Sequence, residues 1–231
     1  MCLDAGFSCP NADGTLGQGG CIFCNIESFA PVRRMAVPSL RDQWEAQVSR
    51  LKRRKIERFI AYLQTGTNTY APLDVLKRCF DEIQRLPPGI VGVAVGTRPD
   101  CVPDPVLDMI AEIRSRLWVS IELGLQSAHD RTLQRINRRH TVADFFDAVR
   151  RCRAREIHVG VHVILGLPGE TRTEMIQTAE RLAGCDYQSL KLHNLYAARN
   201  TPLGTAVERG RIRLIERDEY VQAVVDFLER T

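Results

Sequence analysis

Two kinds of apolar pattern alternate along the chain. Short runs of β-branched and other apolar residues predict strands, and apolar positions three and four residues apart predict amphipathic helices between them. The predicted strands are Cys2–Phe7, Arg58–Leu63, Ile90–Val95, Leu117–Leu123, His158–Leu165 and Leu190–Leu195. The predicted helices carry apolar stripes at Leu40–Leu51, Leu73–Ile83, Val106–Ile113, Val142–Val149, Met175–Leu182 and Tyr220–Phe227.

This alternation predicts an α/β fold with a parallel sheet and right-handed crossovers, with the helices outside the sheet. After the first loop the strands begin about 30 residues apart, which is the length of one βα unit. Six units are too few for a closed eight-stranded barrel, so we expect a partial (β/α)6 TIM-like barrel. No composition shift marks a boundary, which predicts a single domain over residues 1–231.

Helix start signals agree with this prediction. Thr171 and Glu174 match a capping box, and Asp104 followed by Pro105 matches an N-cap and a first helical position. The glycine-rich and polar segments follow the predicted strands, where barrels of this type carry their functional sites. In chain order these segments are GFSCPN, QTGTNTY, GTRPDC, GLQS and GLPGET.

The composition is ordinary for a globular protein, with 231 residues, 44% of them hydrophobic and 26% charged, and a net charge of +4. No apolar run approaches the roughly 20 residues that span a bilayer, and the first ten residues lack the apolar segment of a signal peptide. These features predict a cytoplasmic protein with no membrane contact, in which the eight cysteines stay reduced.

Two runs concentrate the positive charge. Arg50–Arg58 contains six basic residues, and Arg150–Arg155 contains four. Solvated helix ends explain both runs, because basic side chains suit the last turn of a helix. Contact with a nucleic acid or an acidic partner is the alternative.

The loop FSCPNADGTLGQGGCIFC, which runs from Phe7 to Cys24, holds three cysteines, Cys9, Cys21 and Cys24. A C-x-x-C pair alone is shared by zinc sites, redox dithiols and iron–sulfur sites. A structural zinc needs four ligands, and neither a second C-x-x-C nor a His pair is present. Three thiolates on a four-iron cluster leave one iron open, which suits substrate binding. A further explanation is that the three cysteines are merely buried residues that bind no metal.

The chain resembles the radical S-adenosylmethionine enzymes, and within them the YhcC-like branch. That branch is related to the elongator catalytic subunit and to the oxygen-independent coproporphyrinogen oxidases. Four segments carry the resemblance, which extends from about Asp4 to Gly210. They are DAGFSCPNADGTLGQGGCIFCN, GTRPDCVPD, ELGLQSAHDRTLQRINR and LKLHNLY.

The resemblance implies that Cys9, Cys21 and Cys24 ligate three irons of a 4Fe–4S cluster, and that S-adenosylmethionine chelates the fourth. The reduced cluster then cleaves this molecule to methionine and a 5′-deoxyadenosyl radical, which modifies a substrate that the sequence does not identify. A one-electron donor such as flavodoxin or ferredoxin is also implied. The residues implied to bind S-adenosylmethionine are Phe23, Thr65, Gly66, Thr67, Glu122, Gln126, Ile164 and Leu192.

The chain departs from the family pattern at several points. Eleven residues separate Cys9 from Cys21, where three are common in the wider family. Arg139, next to His140, stands where relatives show a glycine. Relatives also begin before the first strand and extend past the last helix, so we expect a chain truncated at both ends.

The substrate and the reacting side chains are less constrained. Cys101, which follows a predicted strand, is the candidate for a catalytic thiol, and a small loop-ordering residue is the alternative reading. Relation to RNA-modifying barrels and the run Arg50–Arg58 favour a tRNA-like substrate. The alternative function is a non-catalytic metal- or iron–sulfur-binding module that contacts RNA. Glu122 lies within an apolar strand, so we expect it to have a polar partner.

Overall fold

The computed structural model describes residues 1–26, 39–52, 54–87 and 89–231. Six parallel strands pair in chain order and form one curled half-barrel. The strands are β1 (Cys2–Leu3), β2 (Phe59–Leu63), β3 (Ile90–Thr97), β4 (Trp118–Gln126), β5 (His158–Leu165) and β6 (Ser189–Asn194). The helices in the described part are α1 (Leu40–Lys52), α2 (Leu73–Gln84), α3 (Asp104–Ile113), α4 (Asp130–Arg135), α5 (Val142–Arg153), α6 (Arg172–Ala183), α7 (Pro202–Glu208) and α8 (Arg217–Leu228).

The two faces of the strands differ because successive side chains point to opposite sides of a sheet. On β4 the outward positions are apolar and fully buried under the helices, as Ile121 and Leu123 show. The inward positions of the same strand are Ser120, Glu122 and Gly124. The half-barrel therefore keeps an apolar layer outside the sheet and a polar lumen inside it.

A glycine on the neighbouring strand makes room for the lumen carboxylate. Gly160 on β5 pairs with Glu122 on β4. A Cβ atom built on Gly160 would lie 2.5 Å from the Glu122 Oε1 atom, which is far inside van der Waals contact. The missing side chain thus allows Glu122 to lie flat across the lumen.

The sequence pattern predicts all six strands and all six long helices, and the differences lie at their ends. Strand β1 ends at Leu3 because Gly6 takes a positive φ and its amide donates to the Asp4 side chain at 2.8 Å. Strands β3 and β4 extend further than predicted, to Thr97 and Gln126. The two short helices α4 and α7 carry too few apolar positions to predict.

The two predicted helix starts have different outcomes. The capping box is confirmed: the Thr171 side chain accepts from the Glu174 amide, and the Glu174 side chain accepts in return from the Thr171 amide. The predicted N-cap at Asp104 is wrong. The N-cap position belongs to Pro103, which makes no side-chain cap, so Asp104 is the first helical residue and Pro105 the second. Both prolines tolerate these positions because the first helical amides need no intrahelical acceptor.

The two basic runs are placed differently. In the second run Arg150 and Arg151 pair with Asp147, and Arg153 pairs with Asp186, so its charge is used within the fold. The first run, Arg50–Arg58, joins the end of α1 to the start of β2, at the N-terminal end of the strands. Arg53 and the Lys52 side chain lie outside the described residues.

The first run lies far from the strand ends that carry the glycine-rich segments. Strand β2 separates the run from those segments by roughly 15 Å, since a strand rises about 3.3 Å per residue. The run therefore lies at the opposite end of the strands from those segments, and its contact with RNA stays a prediction. Within the described ranges, no helix is both long and apolar enough to cross a bilayer.

Candidate active site

A cavity of about 320 Å³ opens at the C-terminal ends of the strands. Its lining includes Cys9, Cys21 and Cys24, together with seven of the eight residues predicted to bind S-adenosylmethionine. These seven are Phe23, Thr65, Gly66, Thr67, Glu122, Gln126 and Ile164. The fold therefore brings together side chains that are spread over more than 150 residues of sequence.

Leu192 is the predicted residue that the structure does not bring to this cavity. Its neighbour His193 lines the cavity instead, because alternation along β6 directs the side chains of adjacent residues to opposite faces. The carbonyl of Leu192 accepts a hydrogen bond from the Tyr220 hydroxyl of α8 at 3.1 Å.

The cysteine loop is shaped by turns and fixed to the rest of the barrel. The Cys9 carbonyl accepts from the amides of Ala12 and Asp13, and the Cys24 amide donates to the Cys21 carbonyl at 2.9 Å. Asn137 holds the loop from the side, since its Nδ2 donates to the Gly20 carbonyl at 2.7 Å. The Asn11 side chain donates in return to the Asn137 carbonyl at 2.6 Å.

The three thiols share one end of the cavity and affect one another. Burial, followed by the proximity of Cys21 and Cys9, raises the pKa of Cys24 to about 11. At neutral pH this thiol stays protonated until a metal displaces the proton. In the described part of the chain, no three His, Cys, Asp or Glu side chains surround one point closely enough for a single metal ion. Three soft thiolate donors around a cavity fit a cluster with three ligated irons.

Arg138 connects the thiols to the strand ends. Its buried guanidinium donates to the Cys21 sulfur at 3.8 Å, to the Gly124 carbonyl at 3.0 Å and to His140 Nε2 at 2.9 Å. Asn11 Nδ2 lies 3.6 Å from the same sulfur. Donors aimed at a sulfur stabilise its deprotonated form, so both residues favour metal binding by Cys21.

His140 is neutral in this arrangement. Its Nε2 atom accepts from Arg138, so Nδ1 carries the hydrogen and donates to the Thr141 carbonyl at 3.1 Å. Burial and the Arg138 charge lower the pKa of His140 to about 4. Arg98, also buried, forms a bidentate pair with Asp100 and donates to the Arg138 carbonyl at 2.9 Å. His140 and Arg98 therefore fix Arg138.

The loop after β2 packs directly on the cysteine loop. Gly66 has a φ of +80°, and a Cβ atom there would lie 2.4 Å from the Phe7 carbonyl oxygen. The Thr67 amide donates to the Ser8 carbonyl at 3.0 Å. A glycine is required here both for the left-handed backbone and for the close approach of the two loops.

Gln126 lies at a strained point of the cavity wall. Its φ of +72° is in the left-handed region, and the register of β4 with β5 shifts between Gly124 and Gln126. Non-glycine residues in this region cost of the order of 1–3 kcal/mol and concentrate at functional sites. The irregularity redirects Gln126 toward the cavity.

Below the thiols, five polar side chains form what we call the lumen cluster: Tyr62, Glu122, His162, Lys191 and His193. Glu122 Oε2 accepts from His162 Nε2 at 2.8 Å and lies 3.7 Å from Lys191 Nζ. Lys191 also donates to the Tyr62 hydroxyl at 3.1 Å. Outside the cluster, Ser120 donates to Glu122 Oε1 at 2.9 Å. The expectation that Glu122 has polar partners is confirmed, and its S-adenosylmethionine contact stays a prediction.

Cys101 is placed in a 3₁₀ turn, Pro99–Cys101, and does not line the cavity. Burial raises the pKa of its thiol to about 12, with Asp100 as the next cause. A thiol that stays protonated is a poor nucleophile, and a catalytic role of Cys101 stays a prediction. Its carbonyl accepts from the Thr69 hydroxyl, which fits the loop-ordering alternative.

Sequence reasoning missed several lining residues. These are Arg98, Arg138 and His193, which stand within the quoted segments GTRPDCVPD, ELGLQSAHDRTLQRINR and LKLHNLY, respectively. A buried arginine cannot be told from a surface one by residue type alone. For Arg98 and His193 the available signal is their position at or just after the end of a strand. Arg138 follows the helix α4 and carries no such signal.

Comparison with known proteins identifies a family for this arrangement. The sequence profile described as the Radical SAM superfamily matches residues 17–182, and the one described as the Radical_SAM C-terminal domain matches residues 187–231. Protein YhcC of Escherichia coli (strain K12) is 41% identical over 232 residues, which cover 100% of this chain and 74% of that protein. The tRNA-2-methylthio-N(6)-dimethylallyladenosine synthase of Sodalis glossinidius is 29% identical over 136 residues, covering 56% of this chain and 28% of that protein.

Two solved structures share the fold. The archaeal Methanocaldococcus infernus Elp3 superposes with a TM-score of 0.70 at 19% identity, covering 81% of this chain and 49% of that chain. Coproporphyrinogen III oxidase (HemN) from Escherichia coli, titled a Radical SAM enzyme, superposes with a TM-score of 0.62 at 16% identity, covering 99% of this chain and 50% of that one. The chain thus spans about half the length of both. The single-domain assignment over residues 1–231 stays a prediction.

The close contact at Gly66 predicts that a larger residue at this position reduces iron uptake. Gly66→Ala should displace the cysteine loop, because the new Cβ meets the Phe7 carbonyl and the positive φ is strained. We expect iron uptake on anaerobic reconstitution to fall at least several-fold. Gly184→Ala is the matched control, since a Cβ there meets open space and its φ is −90°. Equal iron uptake by both variants would show that the two loops do not depend on each other.

The lowered pKa of His140 predicts that the free energy of unfolding decreases in acid. Because its folded pKa of about 4 lies below the unfolded value of 6.5, the unfolded chain binds the proton first. Stability should therefore fall as the pH drops from 6.5 to 4, by about 3 kcal/mol from this residue. Urea unfolding at pH 7 and pH 4 measures the difference, which should be smaller in His140→Gln. An unchanged difference in the variant contradicts the assignment.

Proposed function

Because the chain belongs to the Radical SAM superfamily, whose members use a 4Fe–4S cluster and S-adenosylmethionine, we propose that it is an enzyme that cleaves S-adenosylmethionine reductively. One observation carries the proposal: the three cysteines and seven predicted cofactor residues line the same cavity. A reduced cluster held there by Cys9, Cys21 and Cys24 would supply the single electron that cleaves the sulfonium of S-adenosylmethionine, and the cavity would hold the substrate beside it.

The chain's own residues have distinct roles in this proposal. Cys9, Cys21 and Cys24 hold the cluster, and Arg138 with Asn11 stabilises the Cys21 thiolate through hydrogen bonds. The apolar lining residues, among them Phe23, Ile164 and Leu195, exclude water from the reacting groups. The protein thereby positions the cofactors, whose chemistry is their own.

The cellular setting follows from the same chemistry. All eight cysteines are free thiols in the structure, which supports a reducing compartment such as the cytoplasm. An external protein must supply the electron, and flavodoxin or ferredoxin is the proposed class of donor.

The reconstituted protein tests the reaction. Anaerobic loading should give about four irons and four sulfides per chain, and dithionite should then produce 5′-deoxyadenosine from S-adenosylmethionine. Cys24→Ala should lose the visible absorbance of the cluster. Cys79→Ala should keep it, because Cys79 lies on α2 and does not line the cavity. Stoichiometric zinc without this product would support the non-catalytic module, and identical behaviour of the two variants would refute the ligand assignment.

We propose RNA as the substrate class, and two observations support it. The similar Sodalis glossinidius protein is named as a tRNA-modifying synthase. The C-terminal face of the barrel also exposes Tyr196, which is 67% accessible and part of the cavity lining, and it carries exposed basic groups. Exposed aromatic rings stack on bases and arginines contact phosphates.

Three exposed arginines make up the basic groups of this face. Arg139 packs against Gly17 in the cysteine loop, and Arg135 donates to the Pro168 carbonyl after β5. The carbonyl of Arg199 accepts from Asn25, just after the last cysteine. Ion pairs recorded among the described residues include none of these three arginines. Their charges are available to a polyanion at the mouth of the cavity.

Salt dependence tests where RNA binds. If three arginines each contact a phosphate of single-stranded RNA, log affinity should fall with log salt with a slope of about −2. The variant Arg135→Gln, Arg139→Gln, Arg199→Gln should flatten this slope by about two units. The matched control, Arg50→Gln, Arg54→Gln, Arg58→Gln, loses the same charge at the opposite end of the strands and should keep the slope. Flattening in the control alone, or in neither variant, overturns the proposed surface.

A further inference from the structure

A line of three side chains crosses the lumen from β4 to β6. Glu122 Oε2 lies 2.8 Å from His162 Nε2, and His162 Nδ1 lies 3.1 Å from His193 Nε2. The imidazole rings of His162 and His193 lie close together, with centroids 5.0 Å apart. All three residues line the cavity, and Glu122 is itself among the residues predicted to bind S-adenosylmethionine.

The positions of the protons follow from the hydrogen bonds. Hydrogen bonds from His162 and Ser120 lower the pKa of Glu122 against the opposing effect of burial, so the carboxylate is ionised and accepts from His162 Nε2–H. A neutral His162 then has a free lone pair on Nδ1, which must accept from His193 Nε2–H. The remaining ring atom of a neutral His193, Nδ1, therefore carries no hydrogen.

His193 Nδ1 is open to a ligand. No hydrogen bond occupies it in the described structure, and it is not one of the buried polar atoms that lack a partner. Because His193 lines the cavity, this unprotonated nitrogen is accessible there. An accessible lone pair at the end of a carboxylate–histidine–histidine line is the arrangement of a proton acceptor.

We propose that His193 is the catalytic residue that exchanges a proton with the substrate, and that His162 and Glu122 are its positioning residues. This inference rests on the proposed function for the identity of the cavity's occupant. The substrate class is one that presents an N–H or O–H group to the lumen. The same nitrogen, once protonated, becomes a donor to the conjugate base.

Each proton in the transfer has a destination. The substrate N–H or O–H bond breaks and its proton binds His193 Nδ1, while the bonding electron pair stays on the substrate. His193 Nε2–H then passes its proton to His162 Nδ1, which makes His162 an imidazolium and returns His193 to a neutral ring. The positive charge thus lies beside the Glu122 carboxylate and away from the cavity. No electron donor or acceptor is needed for this step.

The groups around the pair favour charge on His162 over charge on His193. Glu122 on β4 faces His162 directly, whereas Lys191 on β6 opposes a charge on His193. Tyr62 on β2 is held neutral, since burial raises its pKa, and it bonds Lys191. His158 on β5 is turned to the Ser120 hydroxyl at 3.1 Å. Burial and the charges of His162 and Lys191 lower the pKa of His193 to about 4, which agrees with a ring that passes its proton inward.

Nitrogen-15 NMR of the histidine rings tests this proton transfer from His193 to His162, which we call the relay. The sample is the reconstituted chain with its cluster oxidised. Across pH 5 to 9 we expect one shared transition. On its basic side His193 should carry its hydrogen on Nε2, and on its acidic side His162 should be doubly protonated while His193 carries its hydrogen on Nδ1. A neutral pair with the hydrogen on His193 Nδ1, or a His193 that becomes doubly protonated before His162, overturns the proposal.

Two carboxyl variants separate this role from a structural one. Glu122→Gln should lower the midpoint of the shared transition by about one pH unit or more, because the imidazolium loses its counter-charge. Glu170→Gln is the matched control: Glu170 is a half-buried carboxyl that accepts a hydrogen bond from the Ser127 hydroxyl, and its replacement should leave the midpoint unchanged. Equal midpoints in all three proteins count against the relay. Should Glu122→Gln not fold, the wild-type ring assignments decide alone. The measurement needs no turnover, so its failure differs from a failure to form 5′-deoxyadenosine.

Discussion

Three thiols held at one end of a single cavity are the constraint on which the rest of the structure depends. Burial and mutual proximity raise the pKa of Cys24 to about 11, so the protein alone does not stabilise three thiolates there. Arg138 and Asn11 supply hydrogen bonds to Cys21, and the bound metal must supply the remaining stabilisation. The glycines, the Gly66 contact and the fixed Arg138 all serve to keep this loop over the strand ends.

The two faces of the strands beneath the loop have different roles. Outward residues form the apolar layer that holds the helices, while inward residues leave space or carry charge. Gly160 makes room for Glu122, and Glu122 in turn fixes His162. The same alternation that stabilises the fold therefore places the lumen cluster directly below the thiols. Structure and site are consequences of one period-two pattern.

The fold could be predicted from sequence because it depends on periodicity, and periodicity is local. The candidate site could be predicted where the residue type itself is informative, as with the cysteines, Gly66 and Glu122. Which residues of β6 face the lumen could not be predicted. Leu192 is the apolar choice for a lumen contact, yet the register directs Lys191 and His193 inward, and a shift of one residue reverses every side chain. Arg98 and Arg138 were missed because their burial depends on partners 40 residues apart in sequence.

Electron paramagnetic resonance of the reduced cluster tests the central claim, which is that three cysteines leave one iron open to S-adenosylmethionine in this cavity. Adding S-adenosylmethionine to the dithionite-reduced protein should shift the g values of the cluster signal, because a new ligand then binds one of its irons. The Gly66→Ala variant, at equal cluster content, should show a smaller shift. A wild-type signal that S-adenosylmethionine leaves unchanged would contradict the account, since the cluster would then have no open iron facing the cavity.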